Sequence, residues 1–196
     1  GCALTIDTLN GVSGSPCHGG NGTFSFTVSG GIPPYDHWLT DGITGANLWG
    51  PTPVQFPAIS YSYPAGIYDL LVMDINGSDT CFDIWNIVIN QPAPLSMTVT
   101  TTDALCNGEA SGTVQVQGFG GTGTLTPSIG KLSGGPAFSN ALDSGIYLVT
   151  LTDANGCFII DTFVISEPPA LVIDSTTTTL VSCSNFPPSN NGSITI

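Results

Sequence analysis

One order of residues runs through this chain twice and begins a third time. Copy one opens at Cys17 (C-H-G-G-N-G-T-F-S-F-T-V-S-G-G) and continues as A-G-I-Y-D-L-L-V-M-D-I-N-G-S-D-T-C over 65–81. It closes on I-V-I-N-Q-P-A-P-L over 87–95. Copy two opens at Cys106 (C-N-G-E-A-S-G-T-V-Q-V-Q-G-F-G-G), continues as S-G-I-Y-L-V-T-L-T-D-A-N-G-C over 144–157, and closes on F-V-I-S-E-P-P-A-L over 163–171. A third copy opens at Cys183 and reaches N-G-S-I-T-I at 191–196. Head-to-tail repetition of this kind builds modular arrays, in which each copy is one small structural unit. The expected division is repeat one over 1–92, repeat two over 93–168, and the start of an incomplete third over 169–196.

Within each copy the periodicity is that of strands. Thr23–Val28, Tyr68–Val72, Thr113–Gln117 and Tyr147–Thr152 alternate apolar and polar residues. Further strands are expected over 84–89 and 158–165. No long 3.6-residue period exists, and 25 Gly and 15 Pro interrupt the chain. Asp74-Ile75-Asn76-Gly77 and Asp153-Ala154-Asn155-Gly156 read as hairpin turns, because positive φ is cheap at Asn-Gly. Six or seven short strands per copy, separated by turns, predict an all-β fold of tandem immunoglobulin-like β-sandwiches. Proline marks the joins at Gln91–Leu95 and Glu167–Leu171. Stiff linkers followed at once by an opening strand predict an elongated rod.

Composition narrows the function classes. Fourteen acidic residues against one basic residue, Lys131, give a net charge of −13. Such a chain has no cationic surface for nucleic acid and no attraction to anionic membranes. No run of about 18 apolar residues is present, so no membrane insertion is expected. The chain reads as a piece of a longer secreted protein. Its cysteines fit that compartment. Cys17 and Cys81 bracket copy one, and Cys106 and Cys157 bracket copy two, so one disulfide per repeat is expected, Cys17–Cys81 and Cys106–Cys157. Cys183 then awaits a partner in the rest of copy three, and Cys2 has no counterpart. A metal site is disfavoured, since no C-x-x-C occurs.

The joint motif C-x(n)-N-G-x-φ-x-φ-x-φ-x-G-G-x-P-P-Y (Cys17 to Tyr35), G-x-Y-x-φ-x-φ-x-D-x-N-G-C (Gly145 to Cys157) and the closing x-P-x-x-L resembles the SprB-type repeat of Bacteroidetes surface proteins. The resemblance covers nearly the whole chain. Copy two departs at Gly123-Thr124-Leu125, where Pro-Pro-Tyr would stand, and copy one inserts Ser78-Asp79-Thr80 before Cys81. The resemblance implies long cell-surface or secreted adhesin filaments exported by the type IX secretion system, some linked to gliding and attachment. It implies no enzymatic activity. Asp7-Thr8-Leu9 and Asp174-Ser175-Thr176 also resemble the O-glycosylation signal of exported Bacteroidetes proteins, which makes Thr8 and Ser175 candidate acceptors.

Other candidate sites are few. His18 and His37 occur only in copy one, and no G-x-S-x-G elbow accompanies them. Glu109 and Glu167 fall in a turn and a linker, which suits structure better than a carboxylate pair. Asp74/Asn76 and Asp153/Asn155, with Asp79, Asp143 and Asp161, offer oxygen donors of the kind calcium takes. The same D-x-N-G is what a tight hairpin needs without an ion, so no cofactor is expected beyond that alternative. The longer stretch between Tyr35 and Gly66 brings Trp38, Trp49, Phe56, Tyr61 and Tyr63 together in sequence. These rings are candidates for binding glycans or a protein surface, or for filling the end of a small core. The expected function is a non-catalytic stalk and attachment segment whose partners are neighbouring repeats, with glycans or surfaces as further candidates. The alternative is an accessory carbohydrate-binding array of a secreted hydrolase.

Overall fold

The computed structural model describes residues 3–54, 59–74, 81–133, 141–179 and 193–195. Every regular element among them is a strand. No helix long and apolar enough to cross a membrane occurs among the described residues.

Copy one is a two-sheet sandwich. Its strands are β1 (Thr5–Ser13), β2 (Asn21–Ser29), β3 (Tyr35–Asp41), β4 (Asn47–Val54), β5 (Ile59–Pro64), β6 (Gly66–Asp74) and β7 (Cys81–Ile89). One sheet has the order β1-β2-β5 and the other β4-β3-β6-β7. This is an immunoglobulin-like order. The constant-type domain keeps its fourth strand beside the fifth in the first sheet; here β4 pairs with β3 instead. The alternation seen in the sequence sets the inner face. Phe24, Phe26 and Val28 of β2 meet Tyr35 and Leu39 of β3, Leu70 and Val72 of β6, and Ile87 and Ile89 of β7 in one core. Each fully buried ring or branched chain of this size contributes roughly 1.5–3 kcal/mol. The long stretch of copy one forms β4 and β5, one in each sheet, and Ile59, Tyr61 and Tyr63 of β5 turn toward the core.

Copy two keeps part of this plan, with five strands among the described residues. Strands β8 (Ser96–Thr102) and β9 (Thr113–Phe119) pair, and β10 (Thr126–Lys131), β11 (Gly145–Thr152) and β12 (Phe158–Ile165) form a three-stranded sheet. Tyr147, Val149 and Leu151 of β11 are almost wholly buried, as is Ile165 of β12. The G-x-Y motif now has a reason. Tyr68 donates its phenolic hydrogen to the Pro64 carbonyl at 2.9 Å, and Tyr147 donates to the Asp143 carbonyl at 2.9 Å. Each buried tyrosine ties its strand to the backbone four residues upstream, as tyrosine corners do in immunoglobulin-like sandwiches.

The third copy differs from expectation. Residues 171–176 are not a strand. The pairing falls instead between β13 (Thr177–Thr179) and β14 (Ser193–Thr195), antiparallel, with both strands exposed. Leu171, Val172, Ile173 and Ile194 are exposed as well. Among the described residues no further strand pairs with β13 or β14, and an isolated strand pair buries little.

The chain divides into two units. One comprises Gly1–Val99, Val116–Ser128 and Val149–Asp161; the other comprises Thr100–Gln115, Ile129–Leu148 and Thr162–Ile196. The first unit thus combines copy one with the part of copy two that carries Cys157.

Candidate functional site: the cysteine loops and the outer strand faces

The two opening cysteines sit in loops built alike. In copy one, Ser15 N–H donates to the Asn90 carbonyl at 2.8 Å and Gly20 N–H to the Cys17 carbonyl at 3.1 Å. In copy two, Ala104 N–H donates to the Ser166 carbonyl at 2.9 Å and Glu109 N–H to the Cys106 carbonyl at 3.3 Å. Each loop then grips the proline linker that follows its own copy. His18 Nδ1–H donates to the Pro92 carbonyl at 3.1 Å, and Gly19 N–H donates to Gln91 Oε1 at 2.7 Å. Asn107 Nδ2 donates to the Pro168 carbonyl at 3.1 Å, and Gly108 N–H donates to Glu167 Oε2 at 2.7 Å. His18 therefore corresponds to Asn107, and Glu167 to Gln91, and all four side chains are occupied in holding loop to linker.

The disulfides depart from the expected pairing. Cys17 is bonded to Cys157, with Cα atoms 5.7 Å apart, and Cys106 is a free, exposed thiol. Cys81 is disulfide-bonded too. Neither Cys17–Cys81 nor Cys106–Cys157 forms. Strand length explains why. Cys17 lies in the loop held by Asn90–Pro92, just past the end of β7, while Cys81 is the first residue of β7. Nine strand residues span roughly 30 Å, far beyond the 4.4–6.8 Å that a disulfide bridges between Cα atoms. Copy two has the same layout along β12. The bridge that forms joins the opening loop of copy one to the closing turn of copy two. Asn155 of that turn adds a hydrogen bond from Nδ2 to the Pro16 carbonyl at 3.0 Å.

The closing turn is capped by its own aspartate. Asp153 Oδ1 accepts from Asn155 N–H and Cys157 N–H, both at 2.9 Å, and Oδ2 accepts from Thr122 N–H at 2.9 Å. Burial pushes this carboxyl up, but the amide donors outweigh it and hold the group below the usual carboxylate range. Gly156 supplies the left-handed residue at φ +83°. Asp74 plays the matching part by accepting from Ile32 N–H at 2.6 Å. The Asp153 oxygens named for calcium thus serve backbone amides. Asn76 and Asp79 lie outside the described residues, and Asp143 accepts from Lys131 and Tyr147.

Of the five candidate aromatics, Trp49, Tyr61 and Tyr63 pack against the core of copy one. Trp49 lies 4.8 Å from Tyr61 between ring centroids, and Phe24 lies 5.6 Å from Tyr61. Trp38 is half-buried on the opposite face of β3, so it does not join them. Phe56 lies outside the described residues. At the centre of the cluster is His37, only 1% exposed. Its Nδ1–H donates to the Thr52 carbonyl at 2.6 Å, and its Nε2 accepts from the Tyr61 hydroxyl at 2.7 Å. Trp49 meets the imidazole edge-on at 4.6 Å. Burial lowers the His37 pKa below 6.5, although the Thr52 carbonyl and Asp36 pull the other way. The unfolded chain therefore takes up this proton first as pH falls, and copy one loses stability below about pH 6.5. Imidazole NMR titration is expected to place the His37 midpoint below 6.5. A midpoint at or above that value would contradict this packing.

The outer sheet faces carry a feature that sequence reading missed. After the closing cysteine, copy one reads F-D-I-W-N-I-V-I and copy two F-I-I-D-T-F-V-I. Phe82, Ile84 and Val88 stand exposed on β7, and Phe158, Ile160 and Val164 stand exposed at the matching positions of β12. In copy one the row continues across the sheet, with Ile84 opposite Leu71 and Leu71 opposite Trp38. The shared F-x-I-x-x-φ-V-I pattern was the available signal. Of the candidate glycosylation sites, Ser175 is exposed in a non-strand segment, and Thr8 lies in β1 opposite Phe26. Lys131 is engaged by Asp143 at 2.5 Å and by the Ser144 carbonyl at 2.9 Å.

No protein-family model and no curated protein matches the chain. Among solved structures the chain is similar to the full ectodomain (Ig1–Ig3) of mouse nectin-like molecule 4, at 12% identity and a TM-score of 0.32, over 87% of this chain. The match covers 66% of that ectodomain, so the chain spans just under two thirds of its length.

Proposed function

We propose that the chain is a non-catalytic segment of tandem repeats in a long extracellular adhesin or surface filament, serving as stalk and attachment surface. The carrying observation is the Cys17–Cys157 bond, which splices the opening loop of one copy to the closing turn of the next. A covalent tie between successive modules suits a chain that bears tension. It also requires an oxidising compartment. Both histidines support the non-catalytic reading, since His18 holds a linker and His37 is locked in a core. The repeated apolar rows on β7 and β12 supply surface for attachment, and the resemblance to SprB-type repeats adds export by type IX secretion to the proposal. A carbohydrate-binding role has less support, because Trp49, Tyr61 and Tyr63 spend their faces on internal packing.

Antibody against the chain is expected to label intact, unpermeabilised cells or their shed filaments, and deletion of the segment is expected to reduce surface attachment. Recovery of the protein in the cytosol with Cys17 and Cys157 reduced would overturn the reading.

A further inference from the structure

We propose that Cys106 is a second splice point, which takes the closing cysteine of a further D-x-N-G-C turn in the position that Cys157 takes on Cys17. The inference rests on the reading of the copies as modules joined in series.

A free thiol alone would say little; the loop around it says more. Backbone bond, cysteine turn, linker clamp and glycine amide are each present in both loops, at nearly the same distances. The Cys17 loop already holds its partner. There, Cys157 and Phe158 line a groove with Cys17, His18 and the linker Pro92–Leu95. The corresponding groove in the second unit, about 470 Å³, is lined by Leu105, Cys106, Asn107 and Pro168–Leu171. No closing turn lines it among the described residues.

The apolar rim of this second groove is bare. Leu95 is half-buried, and a methyl group on Gly121 would meet it at 2.6 Å. Its counterpart Leu171 is 103% exposed, and Leu105, beside Cys106, is 80% exposed. A partner that covers both leucines and presents a cysteine has the chemistry of the turn seated on Cys17. The Asn of that turn would donate to the Leu105 carbonyl, as Asn155 donates to Pro16.

Bond formation needs an oxidant, here an external protein disulfide of the dithiol-oxidase class. The Cys106 thiolate attacks one sulfur of that disulfide and expels the other as thiolate. The closing cysteine's thiolate then attacks Cys106 Sγ and expels the second oxidant sulfur. Two thiol protons go to solvent, and two electrons leave on the reduced oxidant.

Two measurements test this. In the native secreted protein, non-reducing peptide mapping is expected to link the Cys106 peptide to a D-x-N-G-C peptide other than 153–157. Free Cys106, or Cys106 bonded to Cys2, Cys183 or another Cys106, would overturn the inference. With the 196-residue chain, a 2-thiopyridyl-activated peptide L-T-D-A-N-G-C-F-I-I is expected to label Cys106 about tenfold faster than a scrambled peptide, through the added hydrogen bond and apolar contact. Equal rates would overturn it. Cys106 found free while Cys17–Cys157 is intact at the cell surface would sink this inference and leave the proposed function standing. Reduction of all these cysteines would sink the proposed function.

Discussion

Replacing Cys157 with Ser is expected to destabilise the unit that contains Cys17 by about 5 kcal/mol at most. That figure is the chain-entropy value for a bridge of sequence separation 140. Engineered removals commonly cost 2–5 kcal/mol, so a denaturant midpoint should move by an easily measured amount. Cys17→Ser should cost the same, because both variants break one bond. Cys106→Ser should cost nearly nothing, since that thiol is free and exposed. Repeat-by-repeat pairing would give another pattern, with Cys106→Ser as harmful as Cys157→Ser. Three midpoints therefore decide the connectivity without a mass spectrum. Equal losses at Cys106 and Cys157 would overturn the observed bridge.

That result bears on what the residues alone could tell. The strands at Thr23–Val28 and Tyr147–Thr152 were legible because period-two alternation is a local property. The Asp153–Gly156 turn was legible for the same reason, while Ile75, Asn76 and Gly77 of the other D-x-N-G lie outside the described residues. Disulfide connectivity is not local. Equivalent placing of the cysteines in two copies fits a bridge within each copy. It fits equally a bridge from the opening of one copy to the close of the next. Only the spatial course of β7, which carries the chain from Cys81 to the Cys17 loop, separates the two. The aromatic stretch was ambiguous in a similar way. Ile59-Ser60-Tyr61-Ser62-Tyr63 puts its rings on one face without saying whether that face turns out or in; β5 is the edge strand beside β2, and its rings turn toward the core. The exposed rows on β7 and β12 escaped notice because a run such as Phe82–Ile89 looks like core on both faces. Burial shows that only Cys81, Ile87 and Ile89 of β7 are wholly inside.

The glycine pair of the repeat motif gives the second large effect. Gly30 and Gly19 both have φ +74°, so an alanine at either meets the same left-handed strain. They differ in their surroundings. Around Gly19 no atom lies within 4 Å of an added methyl, whereas at Gly30 the methyl would collide with the Ala3 carbonyl. Gly120 repeats the collision with the Pro94 carbonyl. The pair is therefore a seat for the chain that enters each copy, as well as a turn. Gly19→Ala is expected to cost about 1 kcal/mol, the strain partly offset by a less flexible unfolded chain. Gly30→Ala adds displacement of packed backbone, and is expected to cost about 3 kcal/mol or more. Thermal or denaturant unfolding of the two variants checks the difference. If Gly30→Ala costs no more than Gly19→Ala, the pair only bends the chain. The entering segment would then be held by its side chains, Leu4 against Gly31 and Leu95 against Gly121, instead of by close contact between backbones.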